Sequence, residues 1–260
     1  MINFDLSVPD HSYFFGFVQA DGWMWEGKGN KGTLSIELNR RDRWILERFS
    51  DLVPVSSTIR ERTRSTNFKQ TAHSVVWSLF DMEFRRHLKC LGFRPGLKPT
   101  LGVPSGIVPV DYLRGLIDAD GSVGITATGL PFICLTTTSD TIADFFLNFI
   151  REATNRKPVV RRNSRDSIYN IMITREDAQA LISKIYYDKA LALPRKVKKA
   201  AEAMLWKRPE GQQRITRKTW TPEEDTIVLT HDTQISSEML NRTCQSIKMR
   251  FWRLNSRKKT

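Results

Sequence analysis

Two aspartates, Asp21 and Asp120, each stand in an Ala-Asp-Gly segment, and they lie 99 residues apart. The order Gly, Ala, Asp, Gly recurs in register in Gly16–Gly22 and Gly115–Gly121. Two carboxylates brought together repel each other unless cations join them, and carboxylate oxygens suit Mg²⁺. A pair of carboxylates with divalent cations beside a phosphodiester is an arrangement that hydrolyses it. The spacing therefore predicts one metal-dependent site that takes an acid from each copy.

Two helices must position these acids. Gly16 and Ala20 are four residues apart, as are Gly115 and Ala119, so each pair shares one helix face. Small residues at this spacing let two helix backbones approach closely, which would bring the acids together at the helix ends. The carbonyls of each last turn could supply further oxygen ligands. Each helix ends in Asp-Gly, and we expect the glycine to adopt the left-handed cap conformation.

The chain after each copy shows the same succession of patterns, which predicts α-β-β-α-β-β-α for each half. A Pro/Gly-rich connector, 94–109, joins the halves. In the first half we expect strands over 23–28, 33–39, 57–66 and 73–80 and a helix over 82–91. In the second half we expect strands over 122–127, 131–137, 159–163 and 168–173 and helices over 140–153 and 175–187. The predicted fold class is α+β.

The segments FFGFVQADG and LRGLIDADG resemble the two motifs of single-chain LAGLIDADG homing endonucleases, and the resemblance spans roughly residues 10–205. Arg114 is the departure in the second copy, and Gln19 replaces the first aspartate of the motif in the first copy. The metal-binding acid of that family is the later aspartate, which both copies keep. The resemblance implies two pseudo-symmetric αββαββα halves that form one DNA-binding saddle.

The same resemblance implies a site-specific endonuclease that cuts both DNA strands across the minor groove and leaves short 3′ overhangs. Asp21 and Asp120 would be its catalytic metal ligands, and the backbone carbonyls of Ala20 and Ala119 would face the metals. Two or more Mg²⁺ ions are expected, with Mn²⁺ as a substitute. The partner would be double-stranded DNA with a long target site, bound by a monomer.

A basic residue of each half also lies near the active site in this family. Lys98 follows Asp21 by 77 residues, and Lys196 follows Asp120 by 76 residues. The matching offsets make Lys98 and Lys196 the candidates for stabilising the phosphate charge of the transition state or for positioning water.

Alternating polar residues predict two DNA-contacting sheet faces, because every second side chain of a strand points the same way. A β-ribbon fits the major groove, where Arg reads guanine. The candidates are Ser35, Glu37, Asn39, Arg60, Arg62 and Arg64 in the first half, and Arg161, Asn163 and Arg165 in the second.

The charge of the chain favours a nucleic-acid partner. Lys and Arg number 41 against 28 Asp and Glu, which leaves a formal net charge of +13. The basic stretch 195–218 would contact phosphates. No apolar run reaches the length of a membrane helix, no signal peptide is expected, and three scattered cysteines predict no disulfide framework. We therefore expect no membrane partner and an intracellular, reducing compartment with access to DNA.

Residues 220–260 read as a separate module that follows a basic linker, 206–219. Thr221, Pro222 and Glu224 are an N-cap, a first-turn proline and a capping-box partner. A last helix is expected over 243–254, with Ile247, Phe251 and Leu254 on one face.

This module resembles the Myb/SANT type, a three-helix fold. Trp220, the acidic first helix and the segment RTCQSIKMR carry the resemblance. In helix-turn-helix folds of this kind the last helix enters the major groove. Its readers here would be Gln245, Lys248 and Arg253, although some modules of this type bind protein tails instead.

The expected domains are a first half over 1–105, a second half over 106–205, the linker over 206–219 and the module over 220–260. Two alternatives remain for the function, an intron RNA maturase and a DNA-binding regulator without catalysis, both on the same fold. Loss of the paired acids would favour the maturase, and both acids are present.

Overall fold

The computed structural model describes residues 3–66, 69–94, 96, 98–211 and 220–256. The chain divides into two compact units, Met1–Arg208 and Pro209–Thr260. Of the predicted linker, residues 212–219 lie outside the described residues. None of the described helices combines the length and apolar character that a membrane span requires.

The first unit contains seven α-helices and seven strands among its described residues. The helices are α1 Pro9–Asp21, α2 Arg43–Leu52, α3 Met82–Cys90, α4 Pro109–Asp120, α5 Asp140–Thr154, α6 Arg175–Ile185 and α7 Pro194–Met204. The strands are β1 Trp23–Trp25, β2 Thr33–Asn39, β3 Ser57–Thr66, β4 Lys69–Leu79, β5 Gly121–Ile125, β6 Pro131–Thr137 and β7 Tyr169–Thr174.

Two antiparallel sheets form, one in each half. The first has the strand order β1-β2-β4-β3 and the second the order β5-β6-β7. Side-chain alternation separates the two faces of the first sheet: Leu34 and Ile36 of β2 are buried, whereas Ser35 and Glu37 are partly exposed. The first half therefore has the predicted order of elements, and β2, β3 and β6 begin and end at the predicted residues.

The second half has one strand fewer than predicted. Residues 159–163 do not form a strand, and the prediction for this segment is wrong. Val160 packs against the core, but Val159 is 87% exposed and the segment pairs with no strand of the described sheets. The N–H of Asn163 does donate to Ile168 O (2.9 Å), but this bond closes a turn and is not followed by a ladder. The order in this half is α-β-β-α-β-α, followed by α7.

The helix α7 is an element that the sequence patterns did not identify. It lies within the stretch interpreted as basic and packs against β5. Its buried face carries Lys196, Ala200 and Ala203. The small alanines on that face allow the helix to approach the sheet closely. Lys196 on the same face therefore reaches the backbone carbonyls at the end of α4.

One hydrophobic core extends through the first unit, with α1 at its centre, where the nine residues Ser12–Ala20 are all buried. An aromatic cluster joins α1 to α2 and to the first sheet. The Phe14 ring centroid lies 5.0 Å from that of Phe49 and 5.8 Å from that of Trp77, both edge-on. Such pairs contribute about 1 kcal/mol each beyond apolar burial. The helix that carries Asp21 is thus fixed by the core itself.

The second unit contains three helices among its described residues, α8 Pro222–Thr230, α9 Thr233–Leu240 and α10 Cys244–Ser256. The predicted capping box is present: Thr221 Oγ1 accepts from Glu224 N (3.3 Å) and Glu224 Oε2 accepts from Thr221 N (3.2 Å). Val228, Leu240 and Ile247 form the core, and Trp220 and Leu254 pack against it.

One detail of α10 differs from expectation. Phe251 is 47% exposed and lies outside the core that Ile247 and Leu254 join. Residues 247 and 251 are one helical turn apart, which predicted that both face the core. In this small bundle Leu254 and Trp220 already cover the core beside Ile247.

Candidate catalytic site and nucleic-acid interface

The helices α1 and α4 cross at two glycines. A Cβ atom on Gly16 would overlap Tyr112 O, and one on Gly115 would overlap Tyr13 O. The backbones therefore touch at the point that the small-residue spacing predicted. This contact brings the C-terminal ends of both helices, and the acids they carry, to the same place.

Hydrogen bonds cross the helix pair next to each acid. Tyr13 OH donates to Asp118 Oδ2 (2.8 Å), and Tyr112 OH donates to Gln19 Oε1 (2.6 Å). Gln19 and Asp118 thus serve the same purpose in the two copies: each accepts a tyrosine of the opposite helix. The Gln19 side chain is buried and also donates to Gly102 O (3.2 Å). This explains why an amide is accommodated where the motif has an acid.

The two glycines that follow the acids depart from expectation. Gly22 has φ −72° and ψ 134°, and Gly121 has φ −109° and ψ −170°. Both are extended, so the predicted left-handed caps are wrong. Glycine is needed instead for close approach, because a Cβ on Gly22 would overlap Val18 O and one on Gly121 would overlap Cys134 O. The chain turns directly from each helix into the first strand of a sheet.

Asp21 and Asp120 are the last residues of α1 and α4, and both are partly buried. Burial and the negative charge of Asp120 together raise the pKa of the Asp21 carboxyl to about 6, against the opposing effect of Lys98 and Lys196. Burial likewise raises the pKa of Asp120, opposed by the same two lysines. The four groups predicted from the sequence therefore lie within one electrostatic neighbourhood.

The two lysines occupy different positions in this neighbourhood. Lys98 is half-exposed, and its Nζ lies 3.4 Å from Asp120 Oδ2. Lys196 is buried, and its Nζ donates to the carbonyls of Ile117, Asp118 (2.7 Å) and Gly121 (3.0 Å). Burial lowers the pKa of Lys196 to about 8. Lys98 faces a carboxylate, whereas Lys196 neutralises the negative end of the α4 dipole.

The oxygen atoms at this site could hold a divalent cation, but only a few of its ligands would come from the protein. Within the described part of the chain, no group of three or more His, Cys, Asp or Glu side chains lies together. Lys196 already occupies carbonyls on either side of Ala119. The oxygens left for a cation are the two carboxylates and nearby backbone carbonyls, Ala20 and Ala119 among them. Mg²⁺ commonly binds through one or two carboxylates together with water and substrate phosphates.

The outer face of the first sheet carries the polar residues predicted for it. Glu37 and Arg60 both pair with Val76, and Asn39 and Arg62 both pair with Ser74. They therefore lie on one face, together with Ser35 and Arg64.

Glu37 is the centre of charge on this face. Its Oε1 lies 3.0 Å from Arg64 Nη2 and its Oε2 lies 3.5 Å from Arg62 Nη1. Ser74 Oγ donates to the same Glu37 Oε1 (2.6 Å). The carboxylate holds two arginines side by side at the surface of the sheet, where each remains about half-exposed.

The second sheet differs from the first in its chemistry. The strands β5, β6 and β7 contain no Lys or Arg. Arg161, Asn163 and Arg165 do not extend a strand as predicted, but lie in the segment between α5 and β7. Asn163 Oδ1 accepts from Asp166 N (3.1 Å) and Arg165 pairs with Asp166 (3.0 Å), so these residues shape a turn.

Gln245, Lys248 and Arg253 are exposed on α10. Two arginines contact the Trp220 ring: the Cζ atom of Arg242 lies 3.9 Å and that of Arg250 5.5 Å from its centroid. Sequence patterns did not identify Trp252, which is exposed and lies one turn beyond Lys248. Trp252 follows Lys248 by four residues, and this spacing would have predicted that both side chains lie on the same face of the helix.

The first unit thus has two helices packed through glycine, an antiparallel sheet in each half and an acid at the end of each helix. The LAGLIDADG-like domain family matches residues 108–186, which contain α4 and Asp120. The match lies within the second half of the first unit.

Solved structures support the same fold. The chain is similar to the homing endonuclease I-WcaI bound to its DNA recognition sequence, with 15% identity and a TM-score of 0.52, over 75% of this chain and 87% of that chain. It is also similar to mesophilic variants of the homing endonuclease I-DmoI, with 13% identity and a TM-score of 0.51, over 75% of this chain and 97% of that chain. Comparison with curated proteins gives no match.

Proposed function

We propose that the chain is a monomeric, site-specific DNA endonuclease that hydrolyses one phosphodiester in each strand with the help of divalent cations. The observation that carries the proposal is the meeting of Asp21 and Asp120, one acid from each half, at the ends of two helices in backbone contact. Two partly buried carboxylates with raised pKa values are unfavourable in a purely structural role and are typical of functional sites.

Asp21 and Asp120 would hold the cations, with the carbonyls of Ala20 and Ala119 as further oxygen ligands. When bound, Mg²⁺ or Mn²⁺ stabilises charge on the phosphoryl oxygens and lowers the pKa of a bound water. Lys98, half-exposed beside Asp120, would neutralise charge on the phosphate. Lys196 would hold the end of α4, and with it Asp120, in position.

The DNA would lie on the outer face of the first sheet, where Arg60, Arg62 and Arg64 stand on one strand. The net charge of +13 favours the same partner. The similar homing endonuclease I-WcaI was solved with its DNA recognition sequence. The similarity to I-WcaI supports the fold of this chain, whereas the proposed activity rests on the positive charge and on the paired acids.

The test is incubation of the full-length protein with a plasmid library of randomised sites in Mg²⁺, followed by sequencing of the ends produced. We expect cleavage of both strands at one long sequence, with short 3′ overhangs. DNA binding without cleavage in Mg²⁺ or Mn²⁺ would instead identify a regulator. Preferential binding of structured RNA with no action on DNA would identify a maturase.

Substitution of the two lysines should separate their roles. Lys98→Ala should slow cleavage on the order of 100-fold with little change in binding, because its ammonium acts at the reacting phosphate. Lys196→Ala should slow cleavage as well and also lower the free energy of unfolding by roughly 1–3 kcal/mol, because three carbonyls lose a charged donor. Single-turnover rates, binding in EDTA and thermal unfolding measure the three quantities.

Lys89→Ala is the matched control for these variants, since Lys89 makes a surface ion pair with Glu26 (2.7 Å) away from the acids. It should leave rate, affinity and stability unchanged. If Lys98→Ala weakened binding as much as it slowed cleavage, Lys98 would be a phosphate anchor and have no part in the chemistry.

We propose that the second unit is a Myb/SANT-like module that extends the DNA contact through Gln245, Lys248 and Arg253. All three are exposed on α10, whose opposite side is held in the core.

A chain of residues 1–208 tests this role of the second unit. It should keep the cleavage site, because the Arg208 guanidinium still pairs with Glu176 (2.7 Å) and the core of the first unit is complete. It should bind DNA more weakly, with the salt slope lowered by about 0.9 for each lost phosphate contact. DNase protection should shrink on one side of the cut. An unchanged footprint and salt slope would mean that the module binds another partner, such as a protein tail.

A further inference from the structure

The residues directly after Asp21 form an exposed aromatic pair. Trp23 is 61% exposed and Trp25 is 51% exposed, while Met24 between them is buried. Trp23 pairs with Ser35 across β1 and β2, so both indoles lie on the outer face of the first sheet. That face also carries the arginines of β3. Large apolar side chains left in solvent beside a functional site are typical of a contact surface.

The second half has a different arrangement at the same offsets from Asp120, where the chain has Ser122 and Gly124. Gly124 has φ +153°, a conformation that favours glycine. The stem of Lys199 from α7 lies over it, since a Cβ at position 124 would be 3.7 Å from Lys199 Cδ. Lys199 itself is exposed. The exposed Lys199 side chain therefore passes over the position that corresponds to Trp25 in the first half.

We propose, on the basis of the proposed function, that the chain contacts DNA by different chemistry on the two sides of the cleavage position. Trp23 and Trp25 pack against base-pair edges and sugars on the side of Asp21. Lys199 binds a backbone phosphate on the side of Asp120.

Position along the chain favours DNA as the occupant of the aromatic pair. Two Cα–Cα steps of about 3.8 Å separate Trp23 from Asp21, so DNA that reaches this acid also comes close to Trp23. Arg62 and Arg64 lie on the same face, on the opposite edge strand β3, and supply the positive charge that a duplex requires. Apolar side chains that press on base steps bind through stacking and through deformation of the duplex, and not through charge.

The two kinds of contact predict different salt dependence. An aromatic contact releases no counterions, whereas each lysine–phosphate contact contributes about 0.9 to the slope of log K against log salt. Loss of the indoles should therefore change affinity and sequence preference at a constant slope. Loss of Lys199 should change the slope and leave the preference intact.

The experiment uses the full-length protein and the DNA sequence that it selects from a randomised library. Affinity is measured in EDTA over a series of salt concentrations, and preference is measured by reselection from a library randomised around the cut. For the double variant Trp23→Ser and Trp25→Thr we expect roughly tenfold weaker binding, the scale of one lost stacking contact. Its salt slope should not change, and base preference should be lost on one side only. For Lys199→Ala we expect a slope lower by about 0.9 and unchanged preference.

Two further variants control for other causes. Trp44→Ala removes an indole that is 44% exposed on α2, away from the sheet face, and should change neither affinity nor preference. Trp23→Phe keeps an aromatic ring and should retain most of the affinity, whereas a requirement for the indole itself would lower it. Thermal unfolding of each variant confirms that the first unit is intact.

The outcomes separate this inference from the function on which it rests. If the wild-type protein neither binds nor cuts DNA, both are wrong. If the wild type does both and the tryptophan variants select the same sequence with the same affinity, the inference alone is overturned. Equal loss of preference on both sides, or a lower salt slope for the tryptophan variants, would overturn it as well.

Discussion

Asp21→Asn or Asp120→Asn is expected to abolish double-strand cleavage while DNA affinity in EDTA stays close to that of the wild type. Each acid is the one carboxylate that its helix brings to the site. The amide cannot supply the charge that holds a divalent cation, and a lost cation removes several kcal/mol of transition-state stabilisation. We expect at least a ~10³-fold loss in single-turnover rate. Affinity survives because arginines and lysines provide it.

The matched control is Asp51→Asn, at a surface carboxylate of α2 that pairs with Arg48 (3.2 Å). It should cleave at the wild-type rate. Cleavage of both strands by either site variant at a rate near that of the wild type would show that the paired aspartates are not the catalytic centre.

Asp21→Asn, which should abolish cleavage, should nevertheless stabilise the folded protein when no metal is present. The Asp21 pKa is raised from 3.8 to about 6 in the folded protein. As the pH rises from about 4 to 6, the Asp21 carboxyl ionises in the unfolded chain before it ionises in the folded protein. The free energy of unfolding therefore decreases over this range. Asp21→Asn lacks this penalty, so its melting temperature should exceed that of the wild type by a few degrees above pH 6 and match it below about pH 4. Thermal melts in EDTA across this range measure the difference.

Gly115→Ala is expected to destabilise the first unit strongly, although it adds a single methyl group. The new Cβ would meet Tyr13 O and lie 2.8 Å from Phe17 N, both backbone atoms of a buried helix that cannot move aside. Overpacking of this kind costs about 1–3 kcal/mol or more, which lowers the melting temperature by roughly 5–10 °C. Because α1 and α4 carry the acids, cleavage should also fall on the order of 100-fold at temperatures where the variant is folded.

Gly16→Ala should behave in the same way, since its Cβ would overlap Tyr112 O. Gly102→Ala is the control, because a Cβ there meets nothing within 4 Å. If Gly115→Ala unfolds and cleaves like the control, the helices are not in backbone contact, and the basis for placing the acids together is lost.

The sequence was sufficient for the first half because local pattern and tertiary burial agree there. The alternation of Leu34 and Ile36 with polar neighbours predicts β2, and the same residues face the core. The glycine spacing predicts the helix contact for a similar reason: only one packing uses both small faces.

Positions set by tertiary contacts were beyond the sequence. The segment after α5 has the residue types of a strand and Val160 packs against the core, but the segment pairs with none of the described strands. Gly22 has the sequence of a left-handed cap, yet the approach of Val18 O requires the glycine at an extended φ. Lys196 follows its acid at nearly the same offset as Lys98, but the helix that carries it places its ammonium group against the carbonyls at the end of α4.

The exposed tryptophans show the same limit from another side. An alternating Trp-Met-Trp segment predicts one buried face and one exposed face, and does not indicate which of them the core covers. Only the pairing of β1 with β2 shows that Met24 points inward.

The unlike sheets have a consequence for the DNA sequence that such a protein would prefer. Proteins with two identical halves bind palindromes, because their two-fold axis coincides with that of the target. Here a four-stranded sheet with arginines on β3 stands in one half and a three-stranded sheet without basic residues in the other. No two-fold axis can exchange these surfaces, so the preferred DNA sequence need not be palindromic. Each half of that sequence can then change by mutations in one half of the chain, while the shared helix pair stays the same.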